Sequence, residues 1–215
     1  MENIKCVIFD FDDTIVLSEQ MKKRVFFEIS KSYGQVGIDY YNDNINKNPS
    51  RFEFLKGLSL VVIRNCLIDK DMHNYLYCLL LANCTELINK ELKESEELPN
   101  VRKFIEYLYN KKYKLFISSK SDEKDIIETL EHKKLLEYFT GVYGNSLNKI
   151  EHFEIIMKEY NFTKEQICFI GDSDSDYKVA YYIDCKFIGI LTERNSLKNV
   201  ECTKINDYNK IINKF

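Results

Sequence analysis

Short apolar runs alternate with amphipathic stretches along much of the chain, and several of the apolar runs end in polar residues. The first run, Cys6–Phe9, leads directly into Asp10, as expected for a buried parallel strand that ends in a loop. The same pattern predicts further strands at 113–117, 141–143, 167–170 and 187–191. Helices are predicted between them, at 100–110, from 122 onward, at 150–160 and up to about 182. Strands that alternate with helices favour an α/β fold with a parallel sheet and right-handed crossovers.

This alternation of strands and helices is absent between about residues 18 and 95. Apolar residues at helical spacing predict one helix from an N-cap at Ser18 to about Tyr33 and a long one from Asp71. Pro49–Phe52 is typical of a helix start, because proline is tolerated in the first turn. We therefore interpret this region as a helical insertion.

Two stretches of the insertion have less regular patterns. Residues 34–48 are polar and are expected to be irregular, whereas 58–68 fit a helix or a strand equally well. The domain boundaries that follow place 1–16 and 97–215 in an α/β core domain and 17–96 in an α-helical domain.

Composition and charge narrow the class of protein. The 215 residues are 45% hydrophobic and 30% charged, as in a soluble globular protein, and the net charge of −3 favours neither nucleic acid nor an anionic membrane. No apolar run is long enough to span a bilayer, and the first residues do not resemble a signal peptide. Seven cysteines without a Cys-x-x-Cys pair indicate reduced thiols and a cytoplasmic protein, and no histidine has zinc-site spacing.

Polar side chains follow three of the predicted strands. They are Asp10 and Asp12, then Ser118 and Ser119, and finally Asp172 and Asp176. Because the carboxyl ends of parallel strands lie at one edge of a sheet, these side chains should converge. A single aspartate at a strand end could simply cap the next helix, but three chemically matched ends are poorly explained in that way. The carboxylates of Asp10 and Asp12, two residues apart in one loop, can serve one phosphoryl centre, one as nucleophile and the other as proton shuttle and neighbour of a metal.

The motifs resemble those of the haloacid dehalogenase superfamily, and specifically of its phosphatases with a helical cap. The similarity is greatest to the phosphoglycolate phosphatase and β-phosphoglucomutase group, and it covers nearly the whole chain. The four family motifs correspond to Asp10, Asp12 and Thr14, to Ser118, to Lys149, and to Gly171, Asp172 and Asp176. Two departures are Asp13, where the family most often has glycine, and the absence of a Lys-Pro-x-Pro segment at Lys149. The resemblance implies a Rossmann-like parallel sheet with an inserted helical cap domain.

The resemblance also implies a function and a role for each motif. The expected activity is a Mg²⁺-dependent phosphatase that acts on a small phosphorylated metabolite, such as a sugar phosphate or phosphoglycolate. Asp10 would form an aspartyl-phosphate, and Asp12 would act as general acid and base. Ser118 would bind phosphoryl oxygens and Lys149 would offset negative charge.

The remaining implied site residues concern the metal and the substrate. The metal ligands would be Asp10, Asp172 and the backbone carbonyl of Asp12. Asp176 would either bind the metal directly or support the residues that bind it. Thr14 is a candidate for substrate binding, and Ser119 is the alternative to Ser118.

Arg51, in the insertion, is the candidate for substrate selection. It lies in a segment that looks like the arginine-bearing segment in caps of sugar-phosphate enzymes, and a guanidinium suits a carboxylate or a second phosphate. A solvated arginine in the first turn of a helix is the alternative interpretation.

Other functions remain open at the level of sequence. A phosphomutase of the β-phosphoglucomutase type would use the same aspartyl-phosphate, and a 5′-nucleotidase fits an insertion of this size. A non-enzymatic alternative is a phospho-accepting or binding domain, against which the full set of acids argues. No Gly-x-Gly-x-x-Gly follows the first strand, which argues against dinucleotide binding. The sequence does not indicate an oligomeric state.

Overall fold

The computed structural model describes residues 3–47, 49–65, 69–192 and 197–215, so Cys66 and the end of the 58–68 segment lie outside it. The chain forms two compact units. Met1–Ser18 and Ser95–Phe215 make up the first, here called the core unit, and Glu19–Glu94 make up the second, the helical unit. The predicted domain boundaries lie two residues from these limits.

The core unit is built on a parallel sheet, as predicted. Within the described residues it has six strands in the order β3-β2-β1-β4-β5-β6. Their bounds are Cys6–Phe9 (β1), Lys114–Ser118 (β2), Gly141–Tyr143 (β3), Ile167–Gly171 (β4), Lys186–Ile190 (β5) and Thr203–Ile205 (β6). The α/β class is therefore confirmed. The edge strand β6 was not predicted, because its three residues form no apolar run.

Four helices of the core unit connect or flank these strands. They are α5 (Val101–Asn110), α6 (Glu123–His132), α7 (Lys149–Tyr160) and α8 (Asp174–Ile183). All four residues of β1 are fully buried, and complete burial of an aliphatic or aromatic side chain contributes roughly 1.5–3 kcal/mol. Asn100 precedes α5 but makes no side-chain cap bond, because its amide donates to Asp207 over 2.9 Å instead.

The helical unit contains α1 (Glu19–Lys31), α2 (Gly34–Asn44), α3 (Arg51–Asn65) and α4 (His73–Glu94). The expectation that 34–48 would be irregular was wrong, because α2 occupies most of that stretch. Tertiary contact explains the difference: the rings of Tyr40 and Tyr41 pack against Phe54 of α3, with centroids 5.2 and 6.2 Å away. Most of the other residues of α2 are polar, so the sequence does not show the apolar spacing that predicts a helix.

Two other segments of the helical unit refine the sequence-based assignment. The described part of 58–68 is helical and belongs to α3. The long helix α4 starts at His73, after a short 3-10 turn (Lys70–Met72) whose N-cap is Asp69, so Asp71 lies inside that turn. Across the described residues, no helix combines the length and the apolar character needed to cross a bilayer.

Candidate active site

The parallel register of β1, β2 and β4 places their polar ends side by side. Phe9 is paired with Ile117 of β2 and with Ile170 of β4, and the next residues along each strand carry the polar side chains. Asp10, Asp172 and Asp176 are all buried, and each offers a carboxylate oxygen such that the three atoms lie within 4.8 Å of one another. The sheet therefore brings together acids from two strand ends.

Lys149 lies between two of these acids. Its Nζ donates to Asp10 Oδ1 and to Asp176 Oδ1, over 2.6 Å in each case, and its side chain is 5% exposed. Lys149 is the first residue of α7, where Asn148 and Glu151 form a reciprocal capping box that fixes the start of the helix. The capping box therefore fixes the start of α7 at Lys149, and the tertiary fold brings its ammonium group to the acids.

The cluster contains more negative than positive charge. Burial raises the pKa of Asp10 to about 7, and Asp176 and Asp12 act in the same direction while Lys149 opposes them. Burial alone would lower the pKa of Lys149, but the carboxylates of Asp10 and Asp176 more than offset it and raise that pKa above its ordinary value. A buried set of carboxylate oxygens with a deficit of positive charge fits a hard divalent cation.

Asp176, in the first turn of α8, is held by Ser173, the N-cap residue of that helix. Its Oδ2 accepts from Ser173 Oγ over 2.5 Å and from the Ser173 backbone N–H over 3.1 Å. Gly171 packs against it so closely that a Cβ at that position would lie 2.7 Å from Asp176 Cβ. The end of β4 therefore requires glycine at 171, because a larger residue there would displace Asp176.

Asp12 is held by two hydroxyl groups. Ser18 Oγ donates to its Oδ1 and Ser121 Oγ donates to its Oδ2. Ser18 was predicted only as a helix cap, and Ser121 was not singled out, since the strand pattern predicts that the ends of β1 and β2 meet but not which residue of the following loop contacts Asp12. These bonds fix the orientation of the Asp12 carboxylate.

The backbone conformation of the loop after β1 explains why position 13 suits glycine or aspartate. Asp13 has φ +52°, in the left-handed region that glycine adopts freely and that aspartate tolerates better than most other residues. Thr14 is fully buried, and its backbone carbonyl accepts from Tyr208 Oη over 2.9 Å. Tyr208 comes 194 residues later, so no local pattern in the sequence indicates this support.

Residues 7–190 match the model of the haloacid dehalogenase-like hydrolase family. The chain belongs to this family.

Individual relatives in the family are distant in sequence and similar in fold. The phosphorylated carbohydrates phosphatase of Thermotoga maritima is 23% identical over 187 residues, which cover 82% of this chain and 80% of that protein. A predicted phosphoglycolate phosphatase from Haemophilus somnus superposes with a TM-score of 0.75 at 18% identity, over 100% of this chain and 99% of that one. A proposed β-phosphoglucomutase from Thermotoga maritima gives 0.74 at 20% identity, over 98% of each chain.

The two serines proposed for the second family motif have different surroundings. Ser118 is the last residue of β2, is fully buried, and has its Oγ 2.9 Å from His152 Nδ1. Ser119 Oγ accepts from the backbone N–H of Ser121 over 3.1 Å, so it stabilises the turn that follows. His152 was missed by the sequence analysis, although it lies three residues after Lys149, on the apolar face of α7.

Arg51 lies in the helical unit, where it is the first residue of α3. Its guanidinium carbon is 5.1 Å from the centroid of the Phe52 ring. Ser50 and Glu53 form a reciprocal pair at this helix start, with Ser50 N–H donating to Glu53 Oε2 over 2.9 Å and Glu53 N–H donating to Ser50 Oγ over 3.2 Å. The helix start was predicted, and the role of Arg51 in substrate selection stays a prediction.

Proposed function

We propose that the protein is a Mg²⁺-dependent phosphatase that hydrolyses a small phosphorylated metabolite through an aspartyl-phosphate on Asp10. The observation that carries the proposal is the buried cluster at the sheet edge, in which Lys149 contacts Asp10 and Asp176 at 2.6 Å. The phosphorylated carbohydrates phosphatase among the relatives supports a sugar phosphate or a related ester as the substrate.

The donor atoms suit magnesium. Asp10, Asp172 and Asp176 supply oxygen ligands within 4.8 Å of one another, and the resemblance adds the backbone carbonyl of Asp12. When bound, the cation neutralises charge on the phosphoryl group and on the carboxylates and orients the group for attack.

The residues of the chain account for both half-reactions. In the first, an Asp10 carboxylate oxygen bonds to phosphorus, the bond from phosphorus to the ester oxygen breaks, and Asp12 gives a proton to the leaving oxygen. In the second, Asp12 takes a proton from water, the water oxygen bonds to phosphorus, and the bond from phosphorus to the Asp10 oxygen breaks, which releases inorganic phosphate and restores the Asp10 carboxylate. Lys149 and the Ser118 hydroxyl stabilise the negative charge on the phosphoryl oxygens.

The test is a phosphate-release screen over a panel of phosphorylated metabolites, run with Mg²⁺ and again with EDTA. We expect turnover that needs the metal, and an acid-stable phosphoenzyme that the Asp10→Asn variant does not form. Asp184→Asn is the matched control, because this exposed carboxylate pairs with Lys164 at the surface and sits at a left-handed position that asparagine favours. Full activity in EDTA, or labelling of Asp10→Asn at the wild-type level, would contradict the proposal.

Analysis of the products separates hydrolysis from the alternative in which the phosphoryl group is transferred. A phosphomutase would pass the group from Asp10 to another hydroxyl of the substrate and would yield an isomer in place of free phosphate. Release of inorganic phosphate in proportion to substrate consumed is the result expected of the phosphatase.

A further inference from the structure

The buried contact between Ser118 and His152 has a role that the four family motifs do not include. Ser118 Oγ and His152 Nδ1 are 2.9 Å apart, and both side chains are fully buried. One proton lies between these two atoms, and it comes either from the hydroxyl or from the imidazole. Which of the two atoms donates decides what the serine can do in the active site.

The chemistry at the phosphoryl group requires one of these two arrangements. A serine hydroxyl has a single proton, so a Ser118 that donates to His152 offers only lone pairs to a phosphoryl oxygen. A Ser118 that accepts from Nδ1–H keeps its proton for that oxygen. Only the second arrangement gives the stabilising donor that phosphoryl transfer needs.

Two features of the structure, the fixed orientation of the ring and the surroundings of Nε2, favour the second arrangement. The Tyr143 ring lies 5.4 Å from the imidazole at 30°, which holds the ring in place. Nε2 is buried and has no hydrogen-bond partner of acceptable geometry in the described part of the chain, and a buried N–H without an acceptor is rarer in proteins than a buried acceptor without a donor. The proton therefore belongs on Nδ1.

The charge state of His152 agrees with a neutral ring. Burial lowers the pKa of His152, and the nearby Lys149 ammonium lowers it further, whereas the Gly144 backbone acts in the opposite direction. At neutral pH the imidazole is thus uncharged and has one proton to place.

We propose that His152 is a positioning residue, present as the neutral Nδ1–H tautomer, which donates to Ser118 Oγ and so directs the Ser118 proton to a phosphoryl oxygen. The catalytic role of His152 rests on the proposed phosphatase function, whereas the assignment of its tautomer does not depend on that function. The first turn of α7 then contributes two residues to the site, Lys149 and His152, which are three residues apart on the same helix.

The tautomer is measured directly by ¹⁵N–¹H NMR of the imidazole nitrogens at neutral pH in the metal-free protein. The His152 signals are assigned by their loss in His152→Asn. We expect a protonated Nδ1 and an unprotonated Nε2. A protonated Nε2 would overturn the proposal, whatever the activity of the protein.

The kinetic test uses matched variants. Asparagine can place an N–H near the position of Nδ1, whereas leucine fills similar space with no donor. We expect His152→Leu to lower kcat/KM about ten- to a hundredfold, because the Ser118 hydroxyl is then no longer directed to the charged phosphoryl oxygen and its hydrogen bond to that oxygen is lost. We expect His152→Asn to retain most of the activity. In a Ser118→Ala background, His152→Leu should cause no further loss, because the two residues act through one bond.

The outcomes separate this inference from the proposed function. Independent, additive losses for Ser118→Ala and His152→Leu would overturn the positioning role, as would an inactive His152→Asn protein that is folded. A wild-type protein without phosphatase activity would contradict the proposed function, and the NMR result would still decide the tautomer. If His152→Leu does not fold, the NMR measurement and the comparison of His152→Asn with Ser118→Ala/His152→Asn decide the question.

Discussion

Replacement of Lys149 by methionine tests whether the buried cluster depends on the ammonium group of this lysine. The change removes a side chain that is 5% exposed and that donates to Asp10 and Asp176 over 2.6 Å. Methionine keeps the length of the side chain and its apolar stem, so the loss is mainly one of charge. Two buried carboxylates are left without the cation that they share.

The magnitude follows from burial. Removing one partner of a buried ion pair costs about 3–5 kcal/mol, because the remaining charge is desolvated and unpaired. For a chain of this length, 1 kcal/mol corresponds to roughly 2–4 °C in Tm, so the metal-free Lys149→Met protein should melt about 6–20 °C below the wild type. Total stability of a domain is on the order of 5–15 kcal/mol, so the variant should still fold.

The loss should depend on pH with a definite sign. Burial raises the pKa of Asp10 from 3.8 to about 7 in the folded wild type, so the stability that its proton provides is complete below the unfolded value and is lost as pH rises through 7. Without Lys149, which lowers that pKa, the Asp10 value rises further, and the loss continues at higher pH. The difference in stability between wild type and Lys149→Met should therefore be nearly constant below about pH 6 and should grow as pH rises through about 7 to about 9.

The assay is thermal and urea unfolding of the metal-free proteins across this pH range. Lys158→Met is the matched control, because Lys158 is exposed on the same helix, and surface changes of this kind are usually within about 0.5 kcal/mol. The triple variant Lys149→Met/Asp10→Asn/Asp176→Asn should recover most of the loss, because no unpaired charge then remains at these positions. A loss that is constant with pH, or that persists in the triple variant, would refute the electrostatic explanation.

Three further predictions concern residues around the site. Gly171→Ala should reduce kcat about a hundredfold, because its Cβ would lie 2.7 Å from Asp176 Cβ and would displace that carboxylate; unchanged turnover would contradict the assigned packing. Tyr208→Phe should lower the free energy of unfolding by about 1–3 kcal/mol, measured in urea, because the buried Thr14 carbonyl loses its donor. Arg51→Ala should lower kcat/KM for the natural substrate about ten- to a hundredfold and leave p-nitrophenyl phosphate hydrolysis nearly unchanged; equal losses on both substrates would point to a structural role.

Much of the core could be read from the sequence because local patterns specify it. Strands buried on both faces, such as β1, are continuous apolar runs, and a parallel sheet leaves few possible topologies. The polar ends of β1, β2 and β4 then had to meet, which is why the strand pattern alone could place Asp10, Asp172 and Asp176 at one edge of the sheet.

The same local patterns failed where packing decided the outcome. The helix α2 is polar on most of its surface, and it is stabilised by the contacts of Tyr40 and Tyr41 with Phe54, which follows more than ten residues later. Strand β6 has only three residues, and it is assigned by its pairing with β5. In both cases the stabilising partner lies outside the window that a periodicity analysis covers.

The sequence by itself determined which side chains at the strand ends are candidates for the chemistry, and only the tertiary structure decided how each is held. Lys149 and Asp10 are 139 residues apart, and Ser121 and Asp12 are 109 apart. The bond between Ser118 and His152 joins β2 to α7 in the same way. Hydrogen bonds and ion pairs of this kind depend on distances of roughly 2.5–3 Å between atoms that the folded backbone brings together, and a pattern of residue types along the chain does not contain those distances.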